Sequence, residues 1–344
     1  MYPLKNLLFV VVFGASVGVT GLIVHKHVVS VRAARLEQSG GVTPYFPAGS
    51  VWTTEVSQDH VDPQSASIIG WLANAGGFGT GRMLVDFNIR VLQANASTPF
   101  VPFKKGNPFY EPDSDDIKTF PLPVGGGSEG RTNSYECDNN TSDCHLLVVD
   151  RANAKLYEAY QATYEKNAVT AHFVAVWDLN RIYPPSGRGE QCTSADAAGF
   201  PIAPLLFNAD EIASGRINHA IRFILPNWRM RAGFYVRPAT HAGGPTGPMS
   251  APPYGVHLRL KSNYDVLQLK PAAQIVARAL QKYGMFLADG GNIALTAQSD
   301  QDTTMKWTDV DLGAHDLQDL KVTDFEVVDM GTPIRTTYEC VRNK

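Results

Sequence analysis

Glycine and proline interrupt this chain so often that only short elements fit between them. Thirty glycines and 22 prolines are spread through 344 residues. Each proline removes a backbone donor and each glycine loosens the chain, so long helices and long strands are both disfavoured. The runs between these breaks read as strands. His145 to Asp150 (HLLVVD), a turn at 151–154 and Lys155 to Gln161 (KLYEAYQ) form a hairpin signal. Further strands are expected at 172–179, 217–225, 232–237, 256–261 and 293–297. Pro271 to Tyr283 is the best helix, with proline at its start, Ile275, Val276, Ala279 and Leu280 at helical spacing, and Gly284 beyond its end. A shorter helix is expected from Asp62 to Ala73, and 104–133 reads as a Pro/Gly/Asp-rich connection. Short strands between turns predict a mainly β fold, a β-sandwich or jelly roll with one or two accessory helices.

The N-terminus bears on the compartment. Leu7 to Val24 is an uncharged apolar run, which as a helix would span ~27 Å, close to the ~30 Å hydrocarbon core of a bilayer. It predicts either an uncleaved signal anchor or a cleaved signal peptide. Basic residues on both sides (Lys5; Lys26, Arg32, Arg35) leave the positive-inside rule indecisive. The expected organisation is a signal anchor or signal peptide at 1–27, a stalk at 28–56 and one β-rich globular domain at 57–344. That domain is expected outside the cytoplasm, either held at the membrane by the N-terminal helix or secreted or periplasmic.

Four cysteines fit an oxidising compartment. Cys137 and Cys144 bracket a polar loop that a disulfide would staple, and Cys192 and Cys340 remain as a second pair, one of three possible connectivities. No CxxC or His/Cys cluster has zinc spacing, so no metal or cofactor is expected. Asn95-Ala96-Ser97 and Asn140-Thr141-Ser142 are glycosylation sequons if the host is eukaryotic.

Charge is distributed unevenly. The chain carries −3 overall, yet no acidic residue lies between Glu211 and Asp265. That stretch holds Arg216, Arg222, Arg229, Arg231, Arg237, Arg259 and Lys261, with His219, His241 and His257. It predicts a cationic face toward an anionic ligand. Alternation puts His257, Arg259 and Lys261 on one side of a half-buried strand, with Val256, Leu258 and Leu260 on the other. Such a face can bind a ligand or simply be solvated. Arg222 needs a carboxylate partner or a ligand if it is buried. His219 shares a face with Ile221, Phe223 and Leu225, as a core or a catalytic histidine. Glu158 shares a face with Leu156 and Tyr160, where burial would raise its pKa as a general acid requires. Asp196 lies in a loop of small residues where backbone can approach a ligand, and His241 in the long loop 238–253. Glu158, Asp196, His219 and His241 are the catalytic candidates; Arg222, His257, Arg259 and Lys261 are the ligand-binding ones. For each, a structural role is the alternative.

The segments HLLVVDR (145–151), TSADAAGFPIAP (193–204), INHAIRF (217–223), YGVHLRLK (254–261) and YGMFLADGG (283–291) resemble a broad group of exported bacterial proteins of unassigned activity. The resemblance covers roughly 55–330. It implies export and one fold unit, and carries no catalytic role. The N-terminal segment and the 238–253 loop depart from it.

No Walker loop or HExxH is present, and the compartment and acidic balance argue against nucleic acid. Two functions are expected. One is a carbohydrate-active enzyme, a glycoside hydrolase or polysaccharide lyase acting on an acidic glycan. The other is a non-catalytic glycan-binding or scaffold protein of the cell envelope.

Overall fold

The computed structural model describes residues 44–137 and 143–343. The expected membrane or signal helix and the Asn140 sequon lie outside the described residues. Among the described residues no helix is long and apolar enough to cross a membrane. The fold is mainly β, with 26% strand and 15% helix, as the density of turn residues predicts.

Four strands precede the central hairpin: β1 (Val85–Ile89), β2 (Val91–Gln93), β3 (Phe100–Lys105) and β4 (Thr119–Pro121). The hairpin is β5 (His145–Asp150) and β6 (Lys155–Tyr160), closed by the 151–154 turn and in register from His145↔Tyr160 to Asp150↔Lys155. Next come β7 (Thr163–Glu165), β8 (Ala168–Ala171), β9 (Phe173–Asp178) and β10 (Gly189–Glu190). The second half holds β11 (Ile221–Leu225), β12 (Phe234–Tyr235), β13 (His257–Leu260), β14 (Met285–Gly290) and β15 (Leu295–Gln298). It ends with β16 (Phe325–Val327), β17 (Ile334–Arg335) and β18 (Val341–Arg342).

These strands are divided among five sheets rather than the two of a sandwich. The largest has the order β1-β15-β11-β14-β13-β16, and two four-stranded sheets have the orders β2-β5-β6-β9 and β4-β3-β8-β7. Several ladders are parallel, including β11 with β14 and β1 with β15, whereas jelly rolls are antiparallel throughout. The reason is visible in β11 and β14. Phe223-Ile224-Leu225 and Met285-Phe286-Leu287-Ala288 are unbroken apolar runs, buried on both faces as parallel strands require.

Among the described residues there are three α-helices: α1 (Ser65–Asn74), α2 (Ala209–Ser214) and α3 (Pro271–Lys282). α1 packs on β16 and α3 on β13. α3 buries Ala273, Val276, Ala277 and Leu280 along one stripe. α1 starts later than expected. Asp62 accepts the Gln64 N–H at 2.7 Å and the Met330 N–H at 3.2 Å, so it braces the approach to the helix rather than its first turn. α2 carries a capping box, in which Asn208 accepts the Glu211 N–H and Glu211 accepts the Asn208 N–H.

The described part of the expected stalk, 44–56, is not a stalk. Phe46, Trp52 and Val56 are buried, and Trp52 packs edge-on against Phe200 and Phe286. Large apolar side chains of this kind gain too much by burial to be left along a linker. The Cys137–Cys144 and Cys192–Cys340 disulfides are both formed, which places the fold in an oxidising, extracytoplasmic environment.

Candidate functional site

A cleft of about 810 Å³ opens beyond the C-terminal ends of the parallel strands β11 and β14. In open sheets with parallel strands this is the usual ligand crevice, because the loops leaving both strands diverge there. Pro226, Asn227 and Trp228 leave β11; Asp289, Gly290, Gly291 and Asn292 end β14. The hairpin sheet supplies Asp143 and Tyr160, and the loop 193–197 crosses the floor. Tyr110 and Tyr338 complete an aromatic wall, with Tyr254 buried behind it.

One bulge orients the central acid. The β11–β14 register slips between Phe223 and Ile224, so that Ile224 opposes Asp289 instead of Ala288. One inserted residue turns the next side chain to the opposite face. Asp289 thereby reaches the face of Arg222 and accepts from its Nη2 at 3.0 Å, while also accepting the Gly290 N–H at 2.7 Å. Arg222 is buried. Its Nε donates to Asp196 at 2.6 Å and its Nη1 to Thr296 at 3.1 Å, so its fork is spent internally. Burial opposes the charge on Arg222, but Asp196 and Asp289 overcome it and raise its pKa. Burial also lifts the Asp196 carboxyl, to about 7, against the pull of Arg222.

Asp196 itself is fully buried, beneath the floor formed by Ala195 and Ala197. Its loop is shaped by Gly199 at φ +82°, where a Cβ would come within 2.1 Å of Thr240 Oγ1 and 2.8 Å of Cys192 O. Only glycine tolerates both that φ and that approach.

A second ion pair stands beside the first. His145 Nδ1 lies 2.6 Å from Glu129 Oε2 and Nε2 lies 3.0 Å from Ala195 O. Both nitrogens face acceptors, which requires the doubly protonated ring. Burial pulls the His145 pKa down, yet Glu129 carries it up to about 9. Burial raises the Asp143 carboxyl, and the charge of Asp289 adds to that rise.

Of the residues singled out in the sequence, only His241 lines the cleft. Its Nδ1 bonds Ala197 O at 2.9 Å and its ring meets Tyr338 edge-on at 5.3 Å. Burial lowers its pKa, so the neutral ring keeps its lone pair on Nε2. Asp196 and Arg222 form the buried pair under the floor. The others are elsewhere. Glu158 is fully buried, accepting the Ile202 and Ala203 N–H groups at 2.8 and 2.9 Å and Trp177 Nε1 at 2.9 Å. Burial pushes it up to about 7 while these donors pull it down. His219 precedes β11 rather than lying in it, and bridges Glu211 (3.1 Å) and Ala220 O (2.8 Å).

The cationic face does not assemble. β13 is buried on both sides: β14 and β16 flank its two edges, and the Val56 and Asp59 carbonyls meet Arg259 on the face expected to be open. His257 stacks on Phe286 at 3.9 Å and bonds Tyr283 O; burial lowers its pKa to about 4. Arg259 pairs with Glu326 at 2.6 Å and bonds Asp59 O at 3.0 Å, while Lys261 donates to Thr323 O at 2.8 Å. The missing acids of 212–264 are supplied by distant parts of the chain.

Asp143, Asp289, Tyr110, Tyr160 and Tyr254 were not singled out in the sequence. The signal for Asp289 was an apolar run ending in Asp-Gly-Gly, which reads as a buried strand opening into a loop. The tyrosines had none, since they come from separate segments. Asp113 Oδ1 accepts the Thr193 N–H at 2.6 Å and lies near the Cys192 and Cys340 sulfurs, which as a disulfide offer no thiolate to a metal. No protein-family model, no curated protein and no solved structure matches this chain.

Proposed function

We propose that the protein is an exported carbohydrate-active hydrolase whose substrate lies in the cleft beyond β11 and β14. The observation that carries this reading is a concave, tyrosine- and tryptophan-lined cleft with the exposed Asp143 and the half-buried Asp289 among its lining. Aromatic faces stack on sugar rings, and paired carboxyl groups are the chemistry that glycoside hydrolysis needs. Asp143, exposed at the cleft, takes a proton from solvent and gives it to the leaving glycosidic oxygen. Asp289, oriented by Arg222 and the Gly290 N–H, acts from the other side, on the anomeric carbon or on the water that replaces the leaving group. The C–O bond breaks, water supplies the new hydroxyl and proton, and both carboxyl groups return to their starting state.

This pair replaces Glu158 and Asp196, which are fully buried and whose oxygens are held by internal donors. Elimination at a uronate is less well supported, because among the described residues no lysine or arginine lines the cleft to neutralise the substrate's carboxylate. The apolar N-terminal run supports export, with the domain held at the membrane or released after cleavage. The test is a panel of neutral, acidic and amino-sugar polysaccharides assayed for new reducing ends. Asp143→Asn and Asp289→Asn should each abolish release while keeping the far-ultraviolet spectrum. Binding without release by the parent protein would instead indicate a glycan-binding protein of the envelope.

A further inference from the structure

The cleft is acidic although the segment that forms much of it is the most basic in the chain. Its charged lining is Asp113, Asp143 and Asp289, and the remaining titratable ring, His241, is held neutral. Among the described residues, the nearby cations are turned away. Arg222 divides its fork among Asp196, Asp289 and Thr296. His145 is held between Glu129 and Ala195 O. Behind Asp113, Arg188 and Arg342 donate to its backbone carbonyl and to Asp115. Arg229 lies under the Trp228 ring, 4.5 Å from its centroid, and donates to Gly77 O and Gly79 O. What the cleft offers a ligand is therefore carboxylate oxygen and aromatic face. That combination favours a cation, through charge pairing at the carboxylates and cation–π attraction at the rings.

Resting on the carbohydrate reading above, we infer that the glycan bound here carries free ammonium groups: it is a polymer of deacetylated amino sugar rather than an acidic glycan. The inference does not come from the acids alone. It joins a cavity of about 810 Å³, a tyrosine and tryptophan wall, and the inward turn of the Arg188, Arg222, Arg229 and Arg342 guanidiniums.

The test is a matched series of tetrasaccharides with the same β-1,4 backbone that differ only at C2: ammonium, N-acetyl or hydroxyl. Binding to the intact protein is measured by calorimetry at low and at high salt, with a polygalacturonate oligomer as the anionic control. The ammonium tetrasaccharide should bind at least about tenfold more tightly than the other two, a preference that salt reduces. Asp113→Asn and Asp143→Asn should each lower the affinity for the ammonium form more than that for the hydroxyl form. Equal affinity across the series, or preference for the N-acetyl, hydroxyl or anionic ligand, would overturn the amino-sugar inference and leave the carbohydrate reading standing. No binding to any saccharide by the folded protein would overturn the carbohydrate reading, and this inference with it.

Discussion

The Cys192–Cys340 disulfide ties the C-terminal segment to the loop that floors the cleft, and its removal is the most informative perturbation of the fold. The two cysteines are 148 residues apart, whereas Cys137 and Cys144 are seven apart. In the chain-entropy treatment, closing the long loop restricts the unfolded chain by about 5 kcal/mol and the short one by about 2 kcal/mol. The folded state has other means of keeping the C-terminus in place. β18 pairs with β10, Arg342 donates to Asp115 Oδ1 at 2.5 Å, and the Thr337 N–H donates to Gln191 Oε1 at 2.8 Å. Most of the cost of Cys192→Ala/Cys340→Ala therefore falls on the unfolded ensemble. Urea unfolding at pH 7 should show the midpoint dropping further for this pair than for Cys137→Ala/Cys144→Ala, by an amount worth about 3 kcal/mol. Tyr338, two residues from Cys340, should still meet His241, so ligand affinity in the cleft changes little. An equal or smaller loss for the 192–340 pair would refute the loop-entropy reasoning. Loss of ligand binding before any loss of folding would refute the claim that the remaining contacts hold the segment.

Three further outcomes are expected. Arg222→Met leaves Asp196 and Asp289 without their shared cation and should cost about 3–5 kcal/mol by denaturant titration, part of which Asp196→Asn in the same chain restores. His145 has a folded pKa of about 9 against an ordinary 6.5. Its stabilisation is thus complete below pH 6.5 and lost as pH rises toward 9, on the order of 3 kcal/mol in all; melting across pH 6 to 10 should show this slope, and Glu129→Gln should flatten it. Glu158→Gln places an amide N–H₂ among three donors that require an acceptor, and should cost about 1–3 kcal/mol at pH 8; a neutral effect in thermal melts would mean that Glu158 is protonated in the fold.

The sequence by itself determined the local structure and the chemistry of the compartment. Turn residues bounding apolar runs specify the β5–β6 hairpin, and proline at the start with glycine past the end specifies α3, because these preferences act within a few residues. Cysteine usage indicated an oxidising compartment for the same reason: it depends on residue type, not on position in space. What the charged residues do was decided only by the tertiary structure. A local excess of arginine looked like a binding face, yet Glu326 lies 67 residues beyond Arg259 and Asp289 lies 67 beyond Arg222. A buried guanidinium must find an acceptor wherever the fold provides one, and sequence distance does not enter that requirement. The same holds for the cleft. Asp289 is aimed by the parallel pairing of β11 with β14 and a one-residue register slip, whereas Asp143 and the tyrosines reach the cleft from separate segments, and long-range assembly of that kind leaves no short-range pattern to read.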